Sequence, residues 1–129
     1  MRSEESGVQK PHKRLVVWQE SVVLVGDVYR ITNSFPKHEQ FGLVSQVRRA
    51  AVSIPSNIAE GAARQTKKDF ANFLHNAQGS LSELDTQLDV SLTLDYLSAS
   101  EREAIEPRLC AIDRMLTGLI KSLKRQSNS

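Results

Sequence analysis

Aromatic residues are scarce in this chain, with four Phe, two Tyr and one Trp among 129 residues. So few rings argue against a platform that stacks successive bases. Cysteine is nearly missing too. Cys110 stands alone, so no intrachain disulfide can form, and a reducing cytoplasm is the expected compartment. It lies beside Leu109 and Ile112 in a helical pattern, as a small packing residue does, rather than in the setting of a nucleophile. No apolar run approaches about 20 residues and no apolar signal region opens the chain, so a soluble protein without a membrane partner is expected. Charge of one sign is also lacking. Seventeen basic residues face 15 acidic ones, a net charge of +2 that does not by itself call for nucleic acid.

Several catalytic chemistries are missing as well. There is no Gly-rich phosphate loop and no Ser/His/Asp pattern. Di-iron bundles use Glu-x-x-His pairs, but His12, His38 and His75 follow Gln9, Phe35 and Asn72 at that spacing. One Cys and three scattered His do not make a zinc site. The expectation is a protein with no catalytic residues, no metal and no cofactor.

What is present is helical periodicity. Residues 1–14 are polar, with Gly7 and Pro11, and are expected as a flexible arm; residues 15–125 form the folded domain, and 126–129 a frayed end. A first helix is expected over 15–33, with the stripe Leu15, Trp18, Val22, Val25, Tyr29. Val16, Val17, Val23, Leu24, Val28 and Ile31 widen its apolar surface beyond what one neighbour covers. A second spans 38–63 and kinks, rather than breaks, at Pro55. A third runs over 66–96 behind a capping pair, Thr66 and Asp69. A fourth opens at a second such pair, Ser100 and Glu103. It carries Ile105, Leu109, Ile112, Leu116, Leu119 and Leu123, a heptad seam interrupted early by Pro107. No strand signal competes. Four long helices on short connections predict an all-α, antiparallel up-down-up-down four-helix bundle.

The second helix carries two stripes. Beside the apolar set Leu43, Val47, Ala50, Ile54, Ile58 and Ala62 runs Gln46, Arg49, Ser53, Asn57, Glu60 and Arg64. A solvated face favours Lys, Glu and Gln over Ser and Asn, so this composition points to close packing on another polar surface. The third helix offers one in Asn72, Asn76, Ser80, Glu83 and Gln87, with Gly79 suggesting close backbone approach. The two stripes are expected to meet, within a subunit or across subunits. Gln46, Arg49, Ser53, Asn57, Glu60, Ser80 and Glu83 would form a structural polar network, with Arg49 and Arg64 as donors to Glu60 and Glu83. An ordinary wet face is the alternative.

Charge is segregated along the chain. Residues 1–14, 41–65 and 98–129 each carry +2, and 66–97 carry −3. Arg48, Arg64, Lys67 and Lys68 are the candidate nucleic-acid-binding residues. Arg64, Lys67 and Lys68 cluster where the second and third helices join, and a ring of subunits would multiply them into a basic collar. A solvated turn is the alternative there.

The residues then become recognisable. Val17-Trp18-Gln19, Phe35-Pro36, Phe41-Gly42-Leu43, the run from Ser45 through Gly61, Phe73-Leu74, Gly79-Ser80-Leu81 and Glu83-Leu84 resemble one bacterial family, named for proteins encoded in intervening sequences of 23S ribosomal RNA genes. The resemblance covers residues 13–125 and departs from the family pattern where Asp95-Tyr96-Leu97 replaces the common Gly-Tyr-Leu. It implies a four-helix bundle assembled as a ring-shaped homopentamer. A relative serves as the accessory protein of diversity-generating retroelements, which implies RNA, DNA, a reverse transcriptase or another protein as partner. The expected function is a non-enzymatic homo-oligomer that engages nucleic acid or a nucleic-acid-processing partner through the collar. The alternative is a protein–protein interaction scaffold with no nucleic-acid role.

Overall fold

The computed structural model describes residues 10–127. Residues 1–9 of the expected arm and 128–129 of the expected frayed end lie outside the described residues. The elements are a 3-10 turn at Pro11–Arg14, α1 (Val16–Thr32), a 3-10 turn at Lys37–Glu39, α2 (Leu43–Ala62), α3 (Lys67–Thr93) and α4 (Ala99–Ser127). Among the described residues there is no strand. The turn at Pro11–Arg14 packs against α1 and α2, and His12 meets Trp18 edge-on with ring centroids 5.0 Å apart.

The four helices share one core. α2 packs against α3, α3 against α4, and α1 against both α2 and α4. Val28, Val47, Ile54, Ile58, Leu74, Leu84, Leu88, Ile112 and Leu116 are fully shielded from solvent. The stripe expected for α1 is displaced. Val17, Ser21, Leu24, Val28 and Thr32 face inward, while Val22 and Tyr29 are exposed. Two hydroxyl residues occupy core positions because each satisfies itself on its own helix. Ser21 Oγ donates to Trp18 O at 2.7 Å and Thr32 Oγ1 to Val28 O at 2.8 Å.

α2 starts five residues later than the expected residue 38, at Leu43, with Gly42 as its N-cap. It continues unbroken through Pro55, whose ring is buried. The missing Pro55 N–H would have served the Ala51 carbonyl. α3 opens as expected, with Thr66 Oγ1 accepting from Asp69 N at 3.1 Å. It closes in a Schellman turn. Tyr96 N donates to Ser91 O at 2.9 Å, Asp95 N to Leu92 O at 3.0 Å, and Asp95 takes the left-handed conformation with φ 63°. That conformation explains a glycine at this position in the resembled pattern. α4 starts at a capping box two residues before the expected pair. Ser98 Oγ accepts from Glu101 N and Glu101 Oε1 from Ser98 N, both at 3.0 Å. Its inward seam is Ile105, Leu109, Ile112, Leu116, Ile120 and Leu123, so Ile120 takes the place expected for Leu119.

Candidate interaction surfaces

The polar stripes of α2 and α3 meet within one subunit at a single point. Ser53 Oγ and Ser80 Oγ lie 2.6 Å apart. Asn57 Nδ2 donates to Ser53 O at 2.9 Å and to Ser53 Oγ at 3.1 Å. On either side the stripe opens. Gln46, Arg49, Ala50, Ser53 and Glu83 line a groove of about 270 Å³. Among the described residues Arg49 has no partner, and Glu83 accepts only from Gln87 Nε2, at 3.3 Å. Gln87 is 9% exposed, and its Oε1 accepts no hydrogen bond.

Glu60 does not join this network. Its side chain is 59% exposed and pairs with Arg64 at 3.3 Å, a surface i,i+4 contact worth about 0.3–0.5 kcal/mol. The reason is the neighbouring glycine. A Cβ on Gly61 would come within 2.7 Å of Phe73 Cβ, so Gly61 carries the close approach of α2 to α3 and Glu60 is turned outward. A Cβ on Gly79, expected to mark such an approach, would meet no other element within 4 Å.

The four candidate nucleic-acid-binding residues separate. Arg48 lies about 24 Å from Arg64 along α2. Its guanidinium is held by α1: Nε donates to Thr32 Oγ1 at 2.8 Å and Nη2 to Tyr29 O and Asn33 Oδ1, with the Tyr29 ring centroid 4.3 Å away. Arg48 therefore clamps two helices and is not part of a collar. Arg64 lies over the Phe73 ring at 4.7 Å. Lys67 and Lys68 are exposed in the first turn of α3 and pair with nothing among the described residues.

A third feature lies in the α1–α2 connection. Phe41 is 91% exposed, next to a turn that is tightly held. Glu39 Oε1 accepts from Leu43 N at 3.1 Å and thereby caps α2, while Glu39 Oε2 accepts from Tyr96 Oη at 3.0 Å. Tyr96 in turn packs on Phe35, with centroids 5.6 Å apart. The Leu43 N–H, then the Tyr96 hydroxyl, hold the Glu39 carboxyl below its ordinary pKa, and Tyr96 is correspondingly raised, chiefly by Glu39. A Cβ on Gly42 would lie 2.8 Å from Glu39 Oε1, so glycine lets this clamp close. Sequence reasoning registered Phe41 only as part of a motif. The available signal was a large apolar residue beside glycine in a short polar connection.

A model of the 23S rRNA-intervening sequence protein family matches residues 13–118. The chain belongs to that family. No curated protein matches the sequence. Among solved structures it is similar to a protein of unknown function from the S23 ribosomal protein family of Bacteroides thetaiotaomicron. The two are 26% identical, the match covers 82% of this chain and 99% of the other, and the TM-score is 0.72.

Elsewhere in the chain, other cations are bound into ion pairs. Arg102 on α4 has a side chain only 12% exposed and donates to Asp89 at 2.9 Å, to Glu106 at 2.8 Å and to Asp85. Arg108 bridges α4 to α1 through Glu20 at 2.6 Å and Asp27 at 2.9 Å. Cys110 Sγ donates to Glu106 Oε2 at 3.1 Å. That bond raises the thiol's pKa, and the same bond followed by Arg102 lowers that of Glu106. Among the described residues no group of three His, Cys, Asp or Glu is placed to hold a metal, and no helix is long and apolar enough to cross a membrane.

Proposed function

We propose that the protein is a non-enzymatic cytoplasmic homo-oligomer, an up-down-up-down bundle assembled into a ring, which binds RNA or DNA phosphates at a basic collar. The resemblance implies five subunits. The antiparallel course is supported by the order of cross-helix bonds. Gln78 reaches Thr117 whereas Asp89 reaches Arg102, so numbers rise along α3 as they fall along α4. Arg48, early in α2, reaches the end of α1. In that course Arg64, Lys67 and Lys68 share one end of the molecule with Lys121, Lys124 and Arg125, and with Lys13 and Arg14, against Glu60 and Asp69.

One observation carries this reading. Lys67 and Lys68 have no partner among the described residues and stand at the positive end of the α3 macrodipole, where a cation is disfavoured by about 0.3–1 kcal/mol. Stability does not account for them, whereas the last-turn cations Lys124 and Arg125 suit their helix terminus. Free backbone N–H groups at the same helix start favour phosphate. Few aromatics and no reading helix imply weak, sequence-indifferent binding.

Fluorescence anisotropy with a structured RNA, at low and at physiological salt, tests the collar. Affinity should fall steeply with salt, and replacing Arg64, Lys67 and Lys68 together with Ala should reduce both affinity and slope. Absence of binding at low salt, or an unchanged triple variant, would leave the second reading. That reading is a protein–protein scaffold, with a reverse transcriptase or another protein as partner, and the open groove at Arg49, which has no partner among the described residues, supports it.

A further inference from the structure

Two surfaces flanking the same end of α1 complement each other. On one side Phe41 projects beside a recess lined by Tyr29, Val44, Val52, Arg48 and Arg49, which includes no carboxylate. On the other side a groove of about 550 Å³ separates α1 from α4. Its walls are apolar at Ile31, Ala104, Ile105 and Pro107. Its rim carries the carboxylates Glu20, Asp27 and Glu101 against the guanidiniums of Arg30 and Arg108. The groove is of a size that encloses a small ligand, so it has room for an aromatic side chain. Apolar knob meets apolar cleft. Glu20 and Asp27 are taken up by Arg108 and Arg30, so the charge match is between Arg49, unpaired among the described residues, and Glu101 on the groove rim.

We infer that Phe41 of one copy seats in the α1–α4 groove of the next copy, an inference that rests on the ring reading proposed above. Phe41 suits an anchor because its turn is already rigid. The Glu39 bonds to Leu43 N and Tyr96 Oη hold the neighbouring backbone, so little freedom is lost on docking. Knob and groove are different patches, so the contact is heterologous: each copy gives Phe41 to one neighbour and its groove to another. Such a contact repeats head to tail and closes a ring when the rotation allows. Both surfaces border the Tyr29–Ile31 end of α1, which makes the contact side by side.

Two exposed substitutions separate the halves of the contact. Phe41→Asp removes the knob and leaves the groove. Ala104→Trp fills the groove and leaves the knob, and Ala104→Arg, which sets a cation against Arg48 and Arg49, serves as a second groove variant. Masses are measured by light scattering at micromolar concentration, with circular dichroism confirming helical content. The wild-type chain should be oligomeric. Each variant alone should be monomeric, its subunit affinity weakened roughly a hundredfold. An equimolar mixture of a knob variant and a groove variant retains one intact contact per pair, so it should form dimers and nothing larger. If the wild type assembles and Phe41→Asp assembles equally, the inference is overturned while the ring reading stands. A mixture that stays monomeric also overturns it. A monomeric wild type overturns both.

Discussion

In the second half of α3, Asp85 and Asp89 receive Arg102 from α4, which also reaches Glu106. In the first turn of the same helix, Lys67 and Lys68 donate to nothing among the described residues. One helix thus holds one set of charges that fastens two helices together and another that fastens nothing. Its caps differ in the same sense. The N-cap Thr66 is a preferred residue in an ordinary conformation, whereas the C-terminal turn forces Asp95 into the left-handed region. The comparison separates charge that the fold explains from charge that it leaves over, and only the second kind points to a partner.

Removing the structural cation should have the largest effect. Arg102→Ala leaves three half-exposed carboxylates without their shared partner and should destabilise by about 1–2 kcal/mol in urea unfolding at neutral pH. The cost should shrink in acid. Glu106, held below its ordinary pKa of 4.5 by Cys110 and then Arg102, contributes stability above its unfolded-state value and loses it as pH falls through the lowered folded value. A variant penalty that stays constant down to pH 3 would break the assignment of Arg102 as a fastener.

Asp95→Gly should act in the other direction. Glycine carries no penalty for positive φ, so this variant should gain about 0.5–1 kcal/mol by the same unfolding measurement. A loss would mean that the Asp95 side chain contributes more than its backbone strain costs. The smallest effect should come from the leftover cations. Lys67→Ala with Lys68→Ala should raise stability by about 0.6 kcal/mol, the low end of the dipole term for two exposed lysines, because each opposes the helix dipole. A clear loss would show them to be structural after all.

Much of the helical fold was legible because long amphipathic segments and the Thr66 cap announce themselves locally. The errors have local causes too. The α1 stripe was misread because Ser21 and Thr32 occupy core positions, and a hydroxyl bonded to its own helix leaves no trace in a polarity pattern. The start of α4 was ambiguous in sequence, since Ser98–Glu101 and Ser100–Glu103 have the same spacing. Of the polar stripe, Ser53, Asn57 and Ser80 lie together in one hydrogen-bonded group. Glu60 lies outside it, and its outward direction follows from the tight contact at Gly61, a property of two helices together. Arg48 and Arg49 are adjacent, yet one is locked to α1 and the other has no partner among the described residues. That distinction depends on which residues of α1 lie opposite, and no periodicity within α2 encodes it. Phe41 escaped notice because exposure in a connection is decided by the fold around it.

The most direct test of the distinction between fastened and leftover charge is the salt dependence of RNA binding in two double variants of equal charge. One removes Lys67 and Lys68 with Ala. The other removes Lys37 and Arg114, two exposed cations outside the collar. Each phosphate contact contributes roughly 0.7–0.9 to the slope of log affinity against log salt. The Lys67/Lys68 variant should lose up to about 1.4–1.8 of slope per subunit in contact with RNA, and the Lys37/Arg114 variant should keep the wild-type slope. Equal losses in both would mean that only net charge matters, and would contradict a collar at the start of α3.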